Sequence, residues 1–167
     1  IQEFLETAAN RFHTIWTEAR SKRSDAQQVR HSQMALGDYE LLILASLVEE
    51  ETRVASEAGR IAGVFLNRLG KQMKLKSDPT AMYRSNRVGK QPSPMHTRDT
   101  SNPFNTYAHK GLPPGPICAP GPAAIAAVFS PEEHDFLFFV ARRDGSGLHA
   151  FAETGKEHMS NVNKHLR

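Results

Sequence analysis

A proline-rich stretch in the middle of the chain restricts the possible folds more than any other feature. Nine of the ten prolines lie in residues 70–122, which contain few periodic apolar residues. Proline lacks an amide hydrogen and interrupts helices and central strands, so neither a long helix nor a sheet interior is expected here. Stiff pieces such as Gly-Leu-Pro-Pro-Gly-Pro instead predict a long, ordered surface loop.

The residues before this stretch have the apolar spacing of α-helices. The pattern predicts a helix over residues 2–22, a helix capped by Asp38 that runs to Thr52, and a helix from Ser56 to Gly70. Residues 23–36 are polar, and we interpret them as a linker between the first two helices.

The residues after the loop predict a small sheet between two helices. We expect a short helix at Pro122–Phe129, strands at Phe136–Ala141 and Leu148–Ala152 joined by a turn at Asp144–Gly145, and a last helix that starts with the capping box of Thr154 and Glu157 and ends near Arg167. The expected fold class is therefore α+β, with helices packed around a small antiparallel sheet and a long ordered proline-rich loop.

Composition excludes several classes of protein. The net charge of +3 is too small to indicate a nucleic-acid partner, although residues 71–98 hold seven lysines and arginines against Asp78 alone. That segment is either a solvated loop or a surface that faces an anionic polymer. No apolar run reaches the length of a membrane span. The histidines and the single cysteine lack metal-site spacing, and no nucleotide-binding motif is present, so we expect neither a metal nor a cofactor.

Glu51 is the sharpest candidate for chemistry. It closes an acidic triplet, and on a helix it shares one stripe with Leu44, Leu47 and Val48. Burial raises the pKa of a carboxyl, and a raised pKa is what a general acid near neutral pH requires. The alternative is a structural carboxylate paired with an arginine, namely Arg53, Arg60 or Arg68.

Other candidates depend on weaker signals. Asp78 lies in a turn and could either bind a sugar hydroxyl or cap the following residues. Asn105, Thr106 and Tyr107 combine an amide, a hydroxyl and a ring, a mixture typical of sugar sites. His149 is the histidine of most interest because it lies in the second predicted strand. Cys118 has no obvious activating base nearby and is expected to be inert.

Seven segments together resemble the YceG-like (MltG) endolytic murein transglycosylases. They occur in that family's order from about residue 40 onward and are ASLVEEET (Ala45–Thr52), VASE (Val54–Glu57), VFLNRL (Val64–Leu69), LKSDPTAMY (Leu75–Tyr83), FNTY (Phe104–Tyr107), GLPPGPICAPG (Gly111–Gly121) and FFV (Phe138–Val140). The resemblance implies an N-terminal helix and linker over residues 1–36 and a YceG-like catalytic domain over residues 37–167.

The resemblance implies specific roles for these residues. Glu51, the glutamate before threonine, matches the catalytic residue, and Glu49 matches a supporting one. The remaining candidates for binding the glycan strand are Asp78, Thr80, Tyr83, Asn105, Thr106, Tyr107 and His149. The chain departs from the pattern at Glu50, where lysine is common, and at Phe104, where tyrosine is familiar. We expect repulsion within the acidic triplet to raise the pKa of Glu51 further.

The implied reaction is cleavage of the bond between N-acetylmuramic acid and N-acetylglucosamine to leave a 1,6-anhydromuramoyl end. A hydrolytic muramidase and a non-catalytic peptidoglycan-binding module are the alternatives. The resemblance further implies a cell-envelope protein whose membrane anchor precedes this sequence, with its catalytic domain outside the cytoplasm. Its expected partners are peptidoglycan glycan strands and peptidoglycan synthases.

Overall fold

The computed structural model describes residues 2–83 and 93–166. Within them the chain forms eight α-helices, one short 3₁₀ helix and one antiparallel hairpin, which confirms the α+β class. The helices are α1 (Gln2–Ser21), α2 (Asp25–Gln33), α3 (Asp38–Glu51), α4 (Ala58–Gly70), α5 (Asp78–Met82), α6 (Pro94–Arg98), α7 (Pro122–Phe129) and α8 (Gly155–Leu166). The 3₁₀ helix is Ala55–Glu57, and the strands are β1 (Phe138–Ala141) and β2 (His149–Ala152).

Helix α2 lies where the sequence predicted a linker, so that prediction was wrong. Ser24 Oγ accepts a hydrogen bond from the Gln27 amide, and Gln27 Oε1 accepts one from the Ser24 amide, which together form a capping box. The helix is mostly polar and therefore lacks the apolar repeat that reveals other helices. Its one buried residue is His31. Burial, together with the charges of Arg23 and Arg30, lowers the pKa of His31 to about 4.

Helix α3 runs through the centre of the molecule. Every residue from Ile43 to Val48 is buried, so the helix is enclosed on nearly all sides rather than along one stripe. The residue that caps it is Gly37, and the predicted cap Asp38 instead forms an ion pair with Arg20 at 2.6 Å. Glu40 Oε2 accepts the Gly37 amide hydrogen bond and so closes the first turn.

The core is built by α3, α4 and α7, with α1 packed beside them. Trp16 of α1 meets Phe129 of α7 edge to face, with ring centroids 4.9 Å apart. Both residues belong to the same cluster as Leu44 and Phe65. A shared core therefore joins α1 to the rest of the chain, while the division at residue 36 stays a prediction.

The proline-rich stretch is largely irregular where it is described, as predicted, and it contains the short helices α5 and α6. Residues 84–92 of the predicted basic segment, with Arg84, Arg87 and Lys90, lie outside the described residues. The stretch is tied to α3 through Ser46, whose hydroxyl accepts the Ile117 amide at 3.0 Å. This bond fixes the Gly111–Gly121 segment against the central helix.

The hairpin is confirmed with slightly shorter strands than predicted. Phe138 pairs with Ala152, and Ala141 pairs with His149. Phe139 packs edge to face on Phe65 of α4, with centroids 5.9 Å apart. The predicted capping box of α8 is also present, because the Thr154 amide donates to Glu157 and the Glu157 amide donates to Thr154 Oγ1.

Candidate active site

Glu51 is the last residue of α3, and its carboxyl faces the chain just before α5. Ser77 Oγ donates a hydrogen bond to Glu51 Oε1 at 2.7 Å. The carboxyl is surrounded by protein, although the residue as a whole keeps some contact with solvent.

The surroundings of Glu51 favour the protonated form of its carboxyl. Burial raises the pKa of Glu51 from its ordinary 4.5 to about 7, and the negative charge of Asp78 adds to the rise. The hydrogen bond from Ser77 and the positive charge of Arg68 act in the opposite direction. A pKa near 7 allows one group both to give and to take a proton at neutral pH.

A closed network of hydroxyl groups holds Ser77 in place. The Ser77 amide donates to Thr106 Oγ1 at 3.0 Å, and the Thr106 amide donates to Thr80 Oγ1 at 3.2 Å. Thr80 Oγ1 donates to the Ser77 carbonyl at 2.6 Å, so in the 2.8 Å contact between the two threonine hydroxyls Thr106 is the donor. All three residues are buried. The network links two segments that are 26 residues apart in sequence.

Asp78 and Tyr107 form a second pair beside Glu51. Tyr107 donates its hydroxyl hydrogen to Asp78 Oδ1 at 2.5 Å. Burial and the bond to Asp78 raise the pKa of Tyr107 well above its ordinary value, which keeps the phenol protonated as a donor. Tyr107 therefore holds the Asp78 carboxylate close enough to influence Glu51.

The alternative in which an arginine neutralises Glu51 is not supported. Among residues 2–83 and 93–166, no arginine forms an ion pair with Glu51. Arg60 pairs with Glu132 at 2.9 Å, and Arg53 is exposed. Arg68 is buried and donates to the carbonyls of Leu137 and Leu75, so it affects Glu51 through its charge without contacting it.

The other two acids of the triplet have separate positions. Glu49 Oε2 accepts the Gly121 amide at 3.0 Å, which ties α3 to the start of α7. Glu50 is exposed. Neither is among the groups that shift the pKa of Glu51, so the expected repulsion within the triplet was wrong. The negative charge that raises this pKa comes from Asp78, which the fold brings in from another segment.

Asn105 is fully buried and organises its own loop. Its amide nitrogen donates to the carbonyls of His96, Thr97 and Asp99, and its Oδ1 accepts the Tyr107 amide at 3.0 Å. Both the amide nitrogen and the oxygen of this side chain therefore have hydrogen-bond partners within the protein. The side chain thus connects α6 to the segment that carries Thr106 and Tyr107.

Tyr83 follows α5 and is partly exposed. Its ring lies against Phe104, with centroids 4.5 Å apart. Of the predicted binding residues, Asp78, Tyr83 and Tyr107 retain exposed surface, whereas Thr80, Asn105 and Thr106 are buried. The first three can touch a ligand directly, and the latter three hold the site together.

His149 is held in a different place, on β2. Its Nδ1 lies 2.9 Å from Glu57 Oε2, and its amide donates to both oxygens of that carboxyl. Both residues are buried. No described hydrogen bond joins this pair to the Glu51 network.

Sequence reasoning missed Ser77 and Glu57 as functional candidates. Ser77 belongs to the LKSDPTAMY segment, but no local pattern indicates that its hydroxyl reaches a glutamate 26 residues earlier. Glu57 belongs to the VASE segment, but its partner lies 92 residues away. For Cys118 the expectation of low reactivity is supported, because burial and Glu50 raise its pKa to about 12.

The site thus combines one carboxyl of raised pKa with a network of hydroxyl groups, an arrangement suited to acid–base chemistry. The chain matches the YceG-like family over residues 1–164. The chain belongs to the YceG-like family. This confirms the resemblance drawn from the seven sequence segments.

Two curated relatives are both named endolytic murein transglycosylase. The protein from Bacillus subtilis is 38% identical over 130 residues, which is 77% of this chain and 35% of the relative. The protein from Streptococcus pneumoniae strain D39 is 35% identical over 131 residues, which is 76% of this chain and 24% of the relative. The chain therefore spans between a quarter and about a third of the relatives it matches.

A crystal structure of a YceG-like protein from Listeria monocytogenes has a similar fold. The TM-score is 0.68 at 30% identity, with 81% of this chain and 43% of that one covered. Across the described ranges, none of the helices has both the length and the apolar character needed to cross a membrane. No group of three or more His, Cys, Asp or Glu side chains in those ranges is arranged to hold a metal ion.

Proposed function

We propose that the chain is the catalytic part of a lytic transglycosylase that cleaves peptidoglycan glycan strands within the strand, with Glu51 as its single acid and base. The observation that carries this proposal is the enclosed Glu51 carboxyl, bound to Ser77 and placed beside Asp78, with a pKa of about 7. The names of the relatives from Bacillus subtilis and Streptococcus pneumoniae support the substrate and the reaction class.

In the first half of the proposed reaction, Glu51 is the general acid. The hydrogen bond from Ser77 to Oε1 fixes the orientation of the carboxyl. The proton passes to the glycosidic oxygen between N-acetylmuramic acid and N-acetylglucosamine, and the bond from that oxygen to the muramoyl C1 breaks. A pKa near the working pH keeps a large fraction of the acid protonated and still ready to release its proton.

In the second half, the same group is the general base. The Glu51 carboxylate takes the proton of the muramoyl 6-hydroxyl, and the hydroxyl oxygen forms a bond to C1. The product is a 1,6-anhydromuramoyl end, Glu51 regains its proton, and no water is consumed. An attacking group on the same sugar gains from proximity, so a second catalytic carboxylate is not required.

The neighbours of Glu51 have two proposed tasks. Asp78, Tyr83 and Tyr107 contact the glycan strand, because each of them retains exposed surface. The buried network of Thr80 and Thr106 keeps Ser77 in position. We assign Glu49 a supporting role through its bond to Gly121, which fixes the end of α3.

Hydrolysis by water is the second candidate, because a second carboxylate lies near the first. Many hydrolytic glycosidases use two carboxyl groups, and Asp78 is close enough to Glu51 to affect its pKa. The bond from Tyr107 engages one oxygen of Asp78, which argues against a free nucleophile or base. The products distinguish the two reactions, since hydrolysis leaves a reducing end and transglycosylation an anhydro end.

The decisive experiment digests uncrosslinked glycan strands with the chain and identifies the new ends by mass spectrometry. We expect fragments with anhydro ends from the wild type and almost none from Glu51→Gln. The matched control is Glu50→Gln, which makes the same substitution at the exposed neighbouring residue and should cleave normally. Reducing ends would support the muramidase, and no new ends from the wild type would leave only a binding module. Full cleavage by Glu51→Gln would overturn Glu51 as the acid.

The cellular setting is proposed from the same family membership. We expect the protein to act in the cell envelope, on the outer side of the cytoplasmic membrane and anchored to it by a segment outside this sequence. Peptidoglycan synthases that extend new glycan strands are the expected protein partners. No nucleic-acid partner is expected, because the net charge is only +3.

A further inference from the structure

A polar groove lies between the hairpin and the start of α4. It has a volume of about 660 Å³, and its walls include Glu57, Arg60, Phe136, Arg142, His149 and Phe151. None of the residues of the Glu51 network lines it. We call it the hairpin groove.

The imidazole of His149 is held rigidly in the wall of this groove. The Glu57 carboxyl accepts hydrogen bonds from both the backbone amide and Nδ1 of His149. With Nδ1 bound to Glu57, Nε2 is the ring nitrogen left to contact a ligand. Burying this polar pair has a desolvation cost, and the acid–base reaction at Glu51 makes no use of it.

Two arginines supply positive charge on the same groove. The Nε of Arg60 donates to Glu132 at 2.9 Å, and its guanidinium lies over the ring of Phe151 at 5.2 Å. The terminal nitrogens of Arg60 have no hydrogen-bond partner among the described residues. Arg142 follows β1 directly and is exposed. An arginine fork matches the geometry of a carboxylate.

The remaining wall is aromatic. The rings of Phe136 and Phe151 have centroids 5.7 Å apart and lie within 34° of parallel. Aromatic surface of this kind packs against the apolar face of a sugar ring, while polar groups nearby bind its hydroxyls. The groove therefore combines an apolar wall, a fixed imidazole nitrogen and two guanidinium groups. Its two carboxyls, Glu57 and Glu132, are already engaged by His149 and Arg60.

We propose that the hairpin groove binds a sugar unit that carries a carboxylate, as a second saccharide site on the same glycan strand. This inference rests on the proposed function for the class of substrate. His149 binds a sugar hydroxyl, Arg60 and Arg142 bind the carboxylate, and Phe136 and Phe151 contact the ring. Glu57 follows Glu51 by six residues, so their Cα atoms are at most about 20 Å apart, within reach of one oligosaccharide.

Two ligands that differ in the carboxylate test this site. One is a peptide-free tetrasaccharide of alternating N-acetylglucosamine and N-acetylmuramic acid, and the other is chitotetraose, which lacks the lactyl carboxyl groups. Both are titrated into the chain carrying Glu51→Gln, so that neither is cleaved, and binding is followed by NMR of the backbone amides. We expect the acidic ligand to shift the amides of Leu148 and Phe151, and to bind about tenfold more tightly than chitotetraose.

Neighbouring arginines provide a matched pair of variants. Arg142 lines the groove, whereas Arg143 donates toward the Leu166 carbonyl at 3.4 Å and does not line it. Arg142→Ala should weaken binding of the acidic ligand by about fivefold or more and leave chitotetraose unchanged. Arg143→Ala should change neither affinity by more than about twofold.

The outcomes separate this inference from the proposed function. Equal weakening by Arg142→Ala and Arg143→Ala, or shifts confined to the Ser77 and Thr106 region, would overturn the second site. Failure of the wild type to cleave glycan strands would overturn the proposed function alone, since the comparison of the two ligands does not depend on cleavage. Arg60→Lys, which keeps the charge and loses the fork, should weaken only the acidic ligand.

Discussion

The protonation of Glu51 has a consequence for stability that does not require any substrate. Its pKa rises from 4.5 to about 7 on folding. At about 1.36 kcal/mol per pH unit, ionising this carboxyl in the folded chain costs about 3 kcal/mol more than in the unfolded chain. This is a large share of the stability of a typical domain.

The direction of this pH dependence follows from whether the folded or the unfolded chain holds the proton. Below about pH 4.5 both states are protonated and Glu51 imposes no penalty. Between about pH 4.5 and 7 the unfolded chain releases the proton while the folded chain keeps it, so the free energy of unfolding falls as the pH rises. Above about pH 7 both states are ionised and the full penalty is present.

Glu51→Gln removes this dependence because an amide does not titrate. We expect the free energy of unfolding of the variant, relative to the wild type, to increase by about 3 kcal/mol between about pH 4 and pH 8. Urea denaturation at several pH values measures it. Fluorescence of Trp16, the single tryptophan and part of the core, reports unfolding.

Glu50→Gln is the control for this measurement, since Glu50 is exposed on the same helix. Its stability should follow the wild-type pH dependence. If the curves of Glu51→Gln and the wild type stay parallel from pH 4 to pH 8, the Glu51 carboxyl is not held protonated by the fold, and the assignment of the acid loses its basis.

Three further predictions concern the site and its supports. Activity on glycan strands should fall above about pH 7, where Glu51 loses its proton. Asp78→Asn removes a like charge and should move that fall to lower pH, whereas Ser77→Ala removes a donor that stabilises the carboxylate and should move it to higher pH. A pH–rate profile in which both variants match the wild type would contradict this. Asn105→Ala should lower the free energy of unfolding by about 3 kcal/mol, because the variant leaves the loop carbonyls without their donor. Urea denaturation measures this change, and a decrease below about 0.5 kcal/mol would contradict the prediction. Gly63→Ala should destabilise the chain by about 1–3 kcal/mol and lower its melting temperature, because the added Cβ would lie 2.6 Å from the Glu132 carbonyl oxygen. Gly155→Ala is the control and should have little effect on the melting temperature, because nothing lies within 4 Å of its added Cβ.

Most elements of regular structure could be predicted from the order of residues. Helix α1, the proline-initiated α7, the hairpin and the capping box of α8 all depend on apolar spacing or on partners within four residues. The two incorrect predictions concern positions where the local pattern is absent or ambiguous. Helix α2 is mostly polar and was therefore missed, and the cap of α3 is Gly37, one residue before the predicted Asp38.

The candidate site was only partly accessible to the same reasoning. Glu51 was singled out as an acid on a helix, but the apolar stripe that suggested it proved to be one side of a helix enclosed nearly all round. The expected influence of Glu49 and Glu50 on its pKa was wrong, because the charge that matters belongs to Asp78. Burial on nearly all sides could not be read from periodicity, because it depends on the packing of α3 against both α4 and α7.

Local order along the chain was enough to define the longer apolar helices, the hairpin and a glutamate at the end of a central helix, because those features depend mainly on residues close together in sequence. The environment of that glutamate was decided by packing. Ser77 and Asp78 reach it from 26 and 27 residues further along the chain, and the Glu57–His149 pair spans 92 residues. Contacts of that range form only when the core brings distant segments together, and they set the dielectric and the charges on which a proton's affinity depends.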